Sequence, residues 1–76
     1  MSLLQLAEYS RGQQRAIVAQ VCSTWVVLVG HPANGIESYR IHWEPDEQTS
    51  DQRWFVFASE SQAHGAAMRW QARGDR

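Results

Sequence analysis

The sequence predicts an α+β domain: an antiparallel sheet of three to four strands, with a short N-terminal helix and a C-terminal helix packed on it. Three observations carry this. Four tryptophans, Trp25, Trp43, Trp54 and Trp70, fall in four separate apolar stretches of a 76-residue chain. Two of those stretches, Trp-Val-Val-Leu-Val from Trp25 and Trp-Phe-Val-Phe-Ala from Trp54, are apolar at every position, as buried strands are. The stretch ending at Trp70 instead spaces Ala63, Ala66 and Ala67 along one helical face.

Taken in order, residues 2–11 read as a short helix. Ser2 would cap it, with Gln5 at the capping-box distance, and Leu3, Leu6 and Ala7 share a helical face. Gly12 after Arg11 then reads as the helix stop. Residues 14–22 fit a strand by their β-branched content, although Ile17, Val18, Val21 and Trp25 also fit a helical face. A strand here requires a tight turn at Ser23-Thr24, which are poor residues for a hairpin. The next strand runs from Trp25 to Gly30. His31-Pro32-Ala33-Asn34-Gly35 is a turn, because proline lacks the amide hydrogen and Asn-Gly accepts positive φ.

Residues 37–44 alternate. Tyr39, Ile41 and Trp43 face one way, and Arg40, His42 and Glu44 the other. A polar connection, Pro45 to Gln52, leads to a strand over residues 53–58. Ser59 and Gln62 then form a second capping box, and Gly74 closes the last helix. Gly65 within that helix costs about 1 kcal/mol relative to alanine, which close backbone packing would justify. The whole of 1–76 is read as a single domain, near the lower size limit for folding alone.

The α-β-β-β-α order resembles that of double-stranded-RNA-binding domains, and Ala63, Ala66 and Ala67 resemble their last helix. That family places a basic cluster at the start of this helix to meet phosphates. Glu60, Ser61 and Gln62 stand there instead. Topology and a few alanines are all that is shared.

Composition excludes several function classes. The formal net charge is −1, which argues against a strongly basic nucleic-acid binder. All seven cations are arginine, the residue suited to planar partners such as carboxylate and phosphate. No apolar run approaches a membrane span, and the start of the chain lacks the charged-then-apolar pattern of a signal peptide. Cys22 is the single cysteine, which rules out an internal disulfide, and its apolar neighbours suggest a small buried side chain. A cytoplasmic location is expected.

Catalytic and metal signatures are missing. His31, His42 and His64 have no ligand spacing, and the acidic loop Asp46 to Asp51 has no central glycine for a calcium site. No nucleophile elbow or phosphate loop occurs. Neither a cofactor nor a metal is therefore expected. Arg40, His42 and Glu44 share one strand face, so a small enzyme working through His42 is the least favoured reading.

By subtraction the expectation is a small non-enzymatic protein–protein interaction module: an adaptor, an inhibitor or an assembly subunit. It would self-associate, as a homodimer, through aromatic and arginine surface or a sheet edge. Tyr39, Arg40, His42 and Trp43 on the third strand, with Arg69, Trp70 and Arg73 on the last helix, are the candidate surface. The alternative is a nucleic-acid accessory protein that uses arginines and sheet aromatics.

Overall fold

In a computed structural model of the protein, residues 3–42, 44–45, 53–54 and 56–74 are described. They form a four-stranded antiparallel sheet in the order β1-β2-β3-β4, covered on one face by one C-terminal helix. The strands are β1 (Leu3–Arg11), β2 (Gln14–Val21), β3 (Thr24–Gly30) and β4 (Arg40–Ile41). The helix α1 spans Glu60–Arg73. Two further short strands, β5 (Glu44–Pro45) and β6 (Arg53–Trp54), pair with each other in a separate ladder.

The N-terminal segment corrects the sequence reading: it is a strand, not a helix. The cause is a β-bulge. The register with β2 slips between Gln5 and Ala7, so Leu6 is an extra residue. Leu6 and Ala7 then both pack into the core beneath α1, followed by Tyr9. An alternating strand with one residue inserted imitates helical spacing over this short run. Gly12 is likewise no helix stop. It opens the two-residue turn joining β1 to β2, at φ 62°. Positive φ at the first central position alone is the type II′ pattern, where glycine belongs. Ser2, expected to cap a helix, lies outside the described residues. With a strand in this place, the topological likeness to double-stranded-RNA-binding domains goes too.

Residues 14–21 are a strand, and its turn to β3 is Cys22-Ser23 rather than Ser23-Thr24. Cys22 is exposed and holds φ 56°, which corrects its reading as a buried side chain. The Thr24 hydroxyl donates to the Val21 carbonyl at 2.9 Å and helps close the turn.

The expected strands over 37–44 and 53–58 are shorter than read. Two 3-10 turns, Pro32–Asn34 and Ile36–Ser38, occupy the connection after β3. In β4, Arg40 pairs with Val29 and Ile41 with Leu28, and the His42 N–H donates to the Val27 carbonyl at 2.7 Å. Phe57 takes the next place on the same edge of β3, exchanging both backbone bonds with Trp25. The fourth strand is therefore composite: residues 40–42 cover one half of the β3 edge and Phe57 covers the other.

Helix α1 forms where expected. The Ser59 hydroxyl accepts from the Gln62 N–H at 3.3 Å, and the Gln62 side chain accepts from the Ala58 N–H. Ala63, Ala66, Ala67 and Trp70 are buried against Ala16, Val18 and Val27 of the sheet. The alanines add little apolar area but allow close approach. Trp70 supplies the bulk.

Candidate functional site

The register sorts the strand residues onto two faces. Beneath α1 lie Ala16, Val18, Trp25, Val27 and Val29, with Tyr9 and Phe57. The opposite face carries Ile17, Ala19 and Val26, with Val21, Leu28 and Tyr39 packed against them. Both faces are apolar, as expected of the two-sided run from Trp25. Among the described residues, only the first face has a helix on it.

At the rims of the second face, aliphatic side chains reach solvent. Leu3 of β1 is 51% exposed and Ile41 of β4 is 46% exposed. Register places Leu3 across from Val21, and Ile41 across from Leu28 and thence Ile17. The Tyr39 ring closes the far end of this face by lying on Gly30. A Cβ at Gly30 would come within 2.7 Å of the ring and 2.9 Å of the Tyr39 Cα, so the contact needs glycine.

The expected interaction residues separate accordingly. Tyr39 is half-buried on the second face. Arg40 is exposed at the sheet edge, where its guanidinium donates to the Glu37 and Tyr39 carbonyls at 2.8 and 3.0 Å. His42 is half-buried beside Val27. Trp43, the polar loop 46–52 and the side chain of Trp54 lie outside the described residues. On α1, Arg69 and Arg73 are exposed, but Trp70 is only 4% exposed. Trp70 is thus a core residue and does not join Arg69 and Arg73 on a surface. The Arg11 guanidinium lies 4.3 Å over its ring and donates to its carbonyl at 3.0 Å.

One polar constellation was not legible beforehand. The Tyr9 hydroxyl meets His64 Nδ1 at 2.9 Å, and His64 Nε2 meets a Glu60 carboxylate oxygen at 3.2 Å. With the imidazole proton on Nε2, Tyr9 donates to the ring and the ring donates to Glu60. The Glu60–His64 spacing of four is readable on a helix, but Tyr9 lies 55 residues away in sequence. Hydroxyl and carboxylate sit on opposite ring nitrogens and cannot converge on one metal ion. The arrangement ties α1 to β1. Among the described residues, no group of three or more histidine, cysteine or acidic side chains could hold a metal. No described helix is long and apolar enough to cross a membrane.

Compared with family models, curated proteins and solved structures, the sequence matches none of them.

Proposed function

We propose that this protein is a small non-enzymatic protein-interaction module that self-associates through the exposed apolar rims of the second face of its sheet. The observation that supports this is an exposed rim: Ile17, Ala19 and Val26 at the centre of the second face are already buried, but Leu3 and Ile41 at its two edges remain open to solvent. Covering these edge side chains with a second copy would add apolar contact to a 76-residue protein that lies near the lower size limit for folding alone. Tyr39 and Arg40 would stand at the margin of that contact, where tyrosine and arginine commonly contribute most.

The arginines give less support to a nucleic-acid partner. Arg11 donates to the Trp70 carbonyl, Arg15 to the Gly12 and Gln14 carbonyls, and Arg40 to the Glu37 and Tyr39 carbonyls. These guanidiniums are held by the protein's own backbone rather than fanned out toward phosphates.

The test is light scattering after gel filtration, on the native protein and on a double variant, Leu3→Glu with Ile41→Glu. The native protein is expected to run as a dimer at micromolar concentration, and the variant as a monomer with unchanged far-UV circular dichroism. A native protein already monomeric at high micromolar concentration would end the self-association reading. Tryptophan quenching by an oligonucleotide that fades steeply with salt would favour the nucleic-acid reading instead.

A further inference from the structure

We infer that the Asn34–Gly35 step is a site of spontaneous covalent modification, and that its conversion loosens Tyr39 from the sheet. Both residues are exposed, and neither 3-10 turn around them buries a side chain. In the reaction, the Gly35 amide nitrogen gives up its proton and attacks the carbonyl carbon of the Asn34 side chain. A new bond forms between that nitrogen and that carbon. The bond from the same carbon to the Asn34 Nδ2 breaks, and Nδ2 takes up a proton and leaves as ammonia. Water then opens the resulting succinimide at either carbonyl, giving aspartate or isoaspartate. Glycine hinders the ring closure least, and the space around Gly35 is open: a Cβ there would meet nothing within 4 Å.

The fold gates this reaction. The Gly35 N–H donates to the Pro32 carbonyl at 3.1 Å, and the Asn34 N–H donates to the His31 carbonyl at 3.0 Å. The attacking nitrogen is therefore engaged in a hydrogen bond while the turn is closed. Ser38 braces the loop, its hydroxyl lying 2.8 Å from the Gly35 carbonyl and 3.3 Å from the His31 carbonyl. Nothing buried anchors these turns, so they open at low free energy, and the opened loop reacts.

The product alters what the loop supports. The succinimide lacks the N–H that bonded Pro32, and hydrolysis restores it, in isoaspartate one backbone atom further along from Asn34. Isoaspartate also adds the residue-34 methylene to the backbone ahead of Gly35, whose carbonyl accepts the Ser38 N–H at 3.1 Å. Ser38 leads directly into Tyr39, whose N–H bonds the Ile36 carbonyl at 3.1 Å and whose ring lies on Gly30. Lengthening the backbone at this brace shifts the ring off its glycine. Either product adds one negative charge.

The experiment incubates the purified protein in mildly alkaline buffer, beside the same protein in urea and the variants Ser38→Ala and Asn34→Gln. Intact mass and peptide mapping follow conversion of amide to acid and separate aspartate from isoaspartate. The native protein should convert at Asn34 more slowly than the unfolded protein. Ser38→Ala should convert several-fold faster than native, and Asn34→Gln should stay unconverted at this position. In the purified isoaspartate form, the amides of Ser38 and Tyr39 should exchange hydrogen faster. The proposal is overturned if native Asn34 stays intact while the unfolded protein converts fully, if Ser38→Ala matches the native rate, or if exchange at Tyr39 is unchanged in the isoaspartate form.

Discussion

The two faces of the sheet are built from the same strands, yet they are held in different ways. The first face is closed by α1 and tied to it by polar side chains as well as by packing. Arg11 reaches the Trp70 carbonyl, Gln71 reaches the Ser10 carbonyl at 2.8 Å, and Tyr9 reaches His64. The second face, among the described residues, is held by apolar contact and by one ring resting on one glycine. Directional bonds fix a unique partner, whereas apolar contact accepts any surface of suitable shape. The first face is thus fixed by direction as well as by packing, and the second by packing alone, with its exposed side chains confined to the rims at Leu3 and Ile41.

The most severe test of this contrast is Trp70→Ala. Removing a buried tryptophan costs about 3–5 kcal/mol. A domain of this length holds roughly 4–11 kcal/mol in all, at typical stability per residue. The variant is expected to lose a large share of its stability, read by urea titration and circular dichroism as a much lower midpoint. Near-native stability would mean that α1 is dispensable to the sheet.

Gly30→Ala probes the other face. Its Cβ would strike the Tyr39 ring and the Tyr39 Cα, which cannot swing aside as a flexible side-chain end would. The expected cost of this overpacking is about 1–3 kcal/mol. The protein should stay folded with full helical signal, while the near-UV tyrosine signal changes. A loss as large as that of Trp70→Ala would erase the distinction between the faces.

The two hairpin turns give a finer comparison. Both place positive φ at the first of two turn residues, but one has Gly12 there and the other Cys22. An L-residue in the left-handed region carries roughly 1 kcal/mol of strain. Cys22→Gly is expected to stabilise by about 0.5–1 kcal/mol, and Gly12→Ala to destabilise by a similar amount. Opposite signs in the shift of the urea midpoint would confirm the geometry of both turns.

These cases show what the sequence made legible and why the rest was hidden. The helix α1 was readable because its cap, its alanine stripe and Trp70 all lie within one local segment. The two-sided character of β3 was readable from composition alone. The identity of β1 was not, since a bulge makes Leu6 and Ala7 neighbours in the core and so copies a helical spacing. Gly12 compounded this, because the same glycine serves a helix end or a II′ turn. The partners of long-range contacts were hidden for a simpler reason. Nothing local couples Tyr9 to His64, Arg11 to Trp70, or Tyr39 to Gly30. Trp70 illustrates the cost: its helical position was correct, but its burial depended on a sheet face that only the fold assembles.

The mildest prediction concerns Gly65, whose reason the sequence did not disclose. Close packing does not supply one. A Cβ at this position would meet only the guanidinium end of Arg69, at 3.3 Å. That contact is with the tip of a long side chain, which can give by the few tenths of an ångström required. Alanine in a helix interior is favoured over glycine by about 1 kcal/mol. Gly65→Ala should therefore stabilise by somewhat less than that, the difference being what Arg69 loses in moving. Since α1 closes the first face, the gain should appear as a higher urea midpoint with an unchanged slope. Destabilisation by this substitution would mean that the helix uses Gly65 for an approach to its outer side.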